Sequence, residues 1–132
     1  MTPDGLTSVA ATGAVADIVS RLEAALAAKG VTQFARIDHA AGAAAVGLAL
    51  PPTTVVIFGN ARAGTPLMQA QRSIGLDLPL KMLAWQDADG KAWVTYQDPA
   101  WLARRHGIDP ATQPTIAAMA ALLAALAREA AG

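Results

Sequence analysis

Leu80-Lys81-Met82-Leu83-Ala84-Trp85-Gln86 and Ala92-Trp93-Val94-Thr95-Tyr96-Gln97, with Asp87-Ala88-Asp89-Gly90 between them, are the stretch on which the fold of this chain turns. Both outer runs have strand length and carry aliphatic, β-branched and aromatic side chains. The Asp-Gly pair between them supplies the positive φ values that a hairpin turn requires. An antiparallel pair at this point makes the chain a sheet protein, and its neighbours decide which kind.

On the N-terminal side, Thr54 to Phe58 (Thr-Val-Val-Ile-Phe) is apolar at alternate positions of both parities, as expected of a strand in the interior of a sheet with both faces covered. Val31 to Asp38 is a further strand, and Gly5 to Ala11, carrying Leu6 and Val9, is a weaker one. Val15, Ile18, Val19, Leu22 and Leu26 recur at three- and four-residue spacing, which puts them on one face of a helix. Thr12 is the expected N-cap of that helix, and Gly30 ends it in the left-handed conformation. On the C-terminal side, Asp98-Pro99 opens a short helix that Gly107 closes, and Asp109-Pro110 and Pro114 repeat the start signal. Thr115 to Arg128 is helical, with Ile116, Met119, Leu123 and Leu126 on one face and mostly alanine elsewhere. The order β-α-β-β-β-β-α predicts an α+β fold, with both long helices on one face of a mixed, mainly antiparallel sheet. Residues 1–132 read as a single domain without repeat or linker.

The 132 residues suffice to bury roughly two thirds of the unfolded surface in one core, without a metal or a disulfide. The absence of cysteine excludes thiolate chemistry and leaves the redox compartment open. Ten basic and ten acidic residues balance, so no positive field draws nucleic acid or anionic lipid. Ala40 to Ala61 is uncharged, but Pro51-Pro52 breaks it and its first half is alanine and glycine, which argues against a membrane span. Met1 to Gly5 has no secretory character. The expectation is a cytoplasmic protein that contacts neither membrane nor nucleic acid.

Phe58-Gly59-Asn60-Ala61-Arg62-Ala63-Gly64-Thr65-Pro66-Leu67-Met68 resembles the bacterial family known as domain of unknown function 302. The likeness extends through Arg36-Ile37-Asp38-His39-Ala40-Ala41-Gly42-Ala43, Asp77-Leu78-Pro79-Leu80-Lys81, Tyr96-Gln97-Asp98-Pro99 and Arg105-His106-Gly107, in that order around the first segment. The resemblance implies a fold similar to the TATA-box-binding-protein-like arrangement, homodimers, and no established activity. Ala61 stands where the family pattern has proline, which leaves the loop after Asn60 less rigid. The fold name by itself assigns no function.

The segment from Gly59 to Pro66 follows an interior strand and is expected to run into a helix starting at Thr65-Pro66. Gly59, Asn60, Arg62, Gly64 and Thr65 are therefore the candidate binding residues for a small anionic or polar ligand at free backbone N–H groups. A tight turn accounts for the glycines but not for Arg62. No nucleotide-loop spacing is present. Asp38, His39 and His106 are the candidate acid–base groups, because an imidazole exchanges a proton near neutral pH. Their spacing supports no metal site, and no cofactor is implied. Trp85 and Trp93, with Tyr96 and Trp101, read as sheet-stabilising aromatics, and Met68 and Met82 as core filling. The expected function is a small homodimeric accessory protein without catalysis that binds such a ligand. The alternatives are a small hydrolase- or isomerase-like enzyme using Asp38, His39 or His106, and a nucleic-acid module.

Overall fold

The computed structural model describes residues 3–132. Met1 and Thr2, the start of the stretch read for a leader, lie outside the described residues. The strands are β1 (Leu6–Ala11), β2 (Thr32–Asp38), β3 (Thr53–Gly59), β4 (Leu80–Gln86) and β5 (Ala92–Gln97). The helices are α1 (Val15–Ala28), α2 (His39–Ala45), α3 (Ala61–Ala70), α4 (Pro99–Arg105) and α5 (Pro114–Ala131), with short 3-10 turns at Arg72–Leu76 and Pro110–Thr112.

The sheet order is β1-β5-β4-β3-β2, and the sheet expected to be mainly antiparallel is antiparallel at every neighbouring pair. This follows from the connections: each of the β2–β3, β3–β4 and β4–β5 links reverses the chain beside its neighbour. β3 is an interior strand as expected, but the middle of the sheet belongs to β4.

Alternation along the strands separates the two faces. Val56, Phe58, Met82, Ala84 and Val94 point to one side and are buried with Ile18, Leu22 and Leu26 of α1 and Met119, Leu123 and Leu126 of α5 in one cluster. Both long helices therefore cover the same face. On the other face, Val55 and Ile57 of β3 stand beside Leu83 of β4 and Ile37 of β2, with Trp85 and Trp93 paired across β4 and β5. None of these residues is fully buried. The double-sided apolar character of β3 thus reports one covered and one open face.

The hairpin turn closes through the Gly90 N–H donating to the Asp87 carbonyl at 3.0 Å and the Asp87 N–H donating to the Lys91 carbonyl at 2.8 Å. Only Gly90 has positive φ, at 80°, so Asp89 does not share the left-handed role that the Asp-Gly pair suggested. The Asp87 carboxylate accepts from the N–H groups of Asp89 and Lys91 and from Trp93 Nε1, each at 2.9 Å. The Trp85 and Trp93 rings stack at 6.4 Å with 25° between their planes.

Thr12 does not cap α1. The N-cap is Ala14, whose N–H is taken by the Asp17 carboxylate at 3.2 Å. The Thr12 hydroxyl instead donates to the Ala131 carbonyl at 3.1 Å, and Arg21 Nε donates to the Ala130 carbonyl at 2.9 Å. These bonds satisfy the last carbonyls of α5, which a helix end leaves without intrahelical partners.

Candidate functional site

The chain leaves β3 at Gly59 and enters α3 at once. Asn60 is the N-cap of α3: its backbone is extended and its side-chain oxygen accepts from the Arg62 N–H at 2.8 Å. The helix thus starts four residues before the expected Thr65-Pro66, and Pro66 lies inside it. The stronger capping preference of asparagine displaces Thr65 from that role. Gly59 and Gly64 both have ordinary φ, so neither makes a sharp turn.

What the segment does is wall a cavity. A hollow of about 420 Å³ lies between the ends of β2 and β3, α3, the Gly75–Leu80 segment and α5. Gly59, Asn60 and Gly64 are in its lining, whereas Arg62 and Thr65 are not and are exposed. The remaining walls include Phe34, Met68, Leu78, Met119 and Leu122. The lining is hydrocarbon with one polar side chain, Asn60, a chemistry different from the expected anion site.

A polar cluster sits on the Arg72–Lys81 segment, which also supplies part of that wall. His106, at the C-cap of α4, bonds through Nε2 to the Asp77 carboxylate and through Nδ1 to the Ser73 hydroxyl at 2.8 Å. The His106 and Asp77 side chains are 9% and 14% exposed, whereas Ser73 is exposed. A carboxylate can only accept, so Nε2 carries a proton; in the neutral ring Nδ1 then accepts from Ser73. Arg105 Nη1 lies 3.3 Å from the second Asp77 oxygen, and its guanidinium stands 5.8 Å from the Trp101 ring centre. Lys81 Nζ donates to the Asp77 and Pro79 carbonyls, both at 3.0 Å. Burial pushes the Lys81 pKa below its ordinary value, and nearby Asp77 partly counters the shift.

The acid–base candidates do not converge. Asp38 caps α2, accepting from the Ala41 N–H at 2.9 Å, and His39 is exposed at the first position of that helix. Asp38 pairs with Thr54, whereas His106 is tied to the segment that enters β4 at Leu80, opposite Phe58. The two histidines are therefore at opposite ends of the sheet, with roughly 13 Å of strand between Thr54 and Phe58 alone. Among the described residues, no group of three or more His, Cys, Asp or Glu side chains could hold a metal.

Ser73, Asp77, Lys81 and Arg105 were not among the candidates. The signal for Asp77, Lys81 and Arg105 lay in the stretches Asp77–Lys81 and Arg105–Gly107, which resemble the same family and meet in space, whereas Ser73 lies in no such stretch. Nothing in residue spacing joins positions 73, 77 and 106 in advance.

The model of the family described as "Domain of unknown function DUF302" matches residues 7–126. Two similar relatives, from Brucella suis biovar 1 (strain 1330) and Brucella abortus biovar 1 (strain 9-941), are named "Fluoride-specific ion channel FluC 1". Each is 46% identical over 128 residues, covering 97% of this chain but only 50% and 47% of the respective relative. The chain thus spans about half the length of the curated relatives it matches. A crystal structure of an uncharacterized conserved DUF302 protein from Bacillus stearothermophilus superposes with a TM-score of 0.84 at 19% identity, covering 97% of this chain and 99% of that one. That likeness speaks to the fold. The names of the relatives overturn the expected cytoplasmic location, because an ion channel is a membrane protein.

Proposed function

This chain belongs to the DUF302 family, and from that premise we propose that it is a homodimeric accessory domain, without catalysis, that serves a membrane protein. The observation that carries the reading is the open face of the sheet. Val55, Ile57, Leu83, Trp85 and Trp93 form a contiguous, partly exposed apolar surface on the face opposite the one that α1 and α5 cover. A contiguous apolar face of this kind marks an interaction surface, and a second copy offers the self-complementary cover. The membrane role is supported by relatives in which a segment matching this chain makes up about half of a protein named as an ion channel. Among the described residues one helix, α5, is long and apolar enough to cross a bilayer, and it packs its Ile116, Met119, Leu123 and Leu126 stripe into the core, which supports assigning any transport function to the unmatched half of those relatives.

Light scattering on the purified chain is expected to return about twice the 13.5 kDa of one copy. Leu83→Lys, which places a charge in the middle of the open face, is expected to return one copy's mass with the fold retained by circular dichroism. A wild-type chain that scatters as a monomer at tens of micromolar would remove the reading.

A second reading rests on the Ser73–His106–Asp77 arrangement. With Asp77 orienting His106, Nδ1 can take the Ser73 proton as Oγ attacks an ester carbonyl. The proton then passes to the leaving alcohol, and water releases the acyl group from Ser73 by the same route. Labelling of Ser73 by a fluorophosphonate, lost in His106→Gln, would favour this reading over a purely binding role; an unlabelled, folded protein would dismiss it.

A further inference from the structure

The cavity beside Asn60 is short of atoms for a physical reason. Six of the residues around it, Gly59, Ala61, Ala63, Gly64, Gly75 and Ala118, carry no side chain or a single methyl, while Leu80 and Met119 close the floor. The pocket opens to solvent past the exposed Asn60, Ala61, Gly75, Pro79 and Ala118, so its apolar lining stands in contact with water, which an apolar occupant would displace. At about 420 Å³ the space falls in the range of small-molecule sites and is nearly three times an apolar cavity that holds benzene. One turn of an α-helix with its side chains fills about 420 to 610 Å³, so the hollow does not seat a helical peptide of useful length.

The lining also selects the chemistry of the occupant. None of its residues is charged. The Asn60 side-chain oxygen accepts from the Arg62 N–H, which orients the amide at the exposed rim of the pocket. The site therefore offers a hydrocarbon interior and one fixed donor at the helix start. Phe34, 57% exposed, stands at the mouth with the exposed Ala61 and Ala118.

We propose that this cavity binds a small single-chain amphiphile, with its hydrocarbon tail among Met68, Leu78, Met119 and Leu122 and its hydroxyl or carboxylate head accepting a hydrogen bond from Asn60. The site is complete within one copy, so it stands or falls separately from the dimer.

Titrating the intact chain with 1-alkanols of increasing length tests it, followed by calorimetry and by the methyl signals of Met68, Met119 and Leu122. Affinity is expected to rise about fourfold per added methylene until the cavity is full, and then to level off. Asn60→Ala is expected to weaken binding about fivefold. Ala118→Trp, at an exposed helical position on the rim, is expected to abolish binding with the fold intact, and Ala61→Trp provides the same block from the opposite wall. Absence of binding at every chain length overturns the proposal. So does binding that survives both tryptophan variants while moving the signals of Val55 and Leu83, which places the alkanol on the open sheet face. Inorganic phosphate is the contrasting probe: a response to phosphate at Arg62 with none to alkanols overturns the apolar assignment.

Discussion

At the scale of single residues, the clearest tests concern Asp87, whose partners lie a few residues along the same hairpin, and His106, whose partners lie far away in the sequence. Asp87 accepts from Trp93 and from the Lys91 and Asp89 N–H groups, and these bonds hold its carboxyl below its ordinary value of 3.8. A depressed carboxyl pKa contributes stability that is present in full above the unfolded value and is lost as the pH falls through the lower folded value. Asp87→Ala is thus expected to melt below wild type at pH 7, and the gap is expected to close on acidification below about 3.8. A gap that stays constant with pH would show that the carboxylate charge is not what matters. His106→Ala removes the shared partner of Asp77 and Ser73, one of them largely buried. The loss is about 1–3 kcal/mol, read as a melting temperature lower by roughly 3–15 °C. Residue chemistry was only half legible: His106 stood out by type, but its partners did not. Positions 73, 77 and 106 become neighbours only when the segment entering β4 packs against the end of α4.

At the scale of elements, two glycines with opposite roles make a paired prediction. Gly64 lies inside α3 with ordinary φ, and a Cβ there would meet Leu78 Cδ1 at 3.6 Å and Met68 Cε at 3.8 Å, which is normal contact. Gly64→Ala is therefore expected to stabilise the protein by about 0.5–1 kcal/mol, through the backbone entropy that glycine loses in a helix. Gly5 precedes β1 with φ of 77°, and a Cβ there would overlap the Trp101 ring. Gly5→Ala is expected to be destabilising, and chemical denaturation of the two variants side by side reads both signs. An equal loss in the two would mean that α3 depends on a bare position at Gly64. Strand and helix existence was readable here because periodicity is local. The β4 and β5 limits, Leu80–Gln86 and Ala92–Gln97, were read correctly. The start of α3 was misread because Asn60 and Thr65 are both capping residues, and the proline after Thr65 suggested a first turn when it sits mid-helix.

At the scale of the whole molecule, α5 is the element whose role matters most, since it has the length and hydropathy of a membrane span and yet packs on the sheet. Leu126 is fully buried in the core, so Leu126→Ala is expected to cost about 2–5 kcal/mol. The shift in the urea midpoint of the detergent-free protein measures it, and an unchanged midpoint would mean that α5 is not a core helix in water. Hydrophobic period, capping residues and the Asp-Gly turn are properties of neighbouring residues, and for that reason the sequence alone determined the α+β class, the order of the five strands and two long helices, and that both long helices share one side of the sheet. Which face of β3 remains open, which end of the sheet each histidine occupies, and that Gly59, Asn60 and Gly64 border a hydrocarbon cavity while Arg62 faces solvent are matters of long-range packing. They depend on contacts between residues tens of positions apart, which exist only once the sheet has formed and brought α3, the Arg72–Lys81 segment and α5 together at one end.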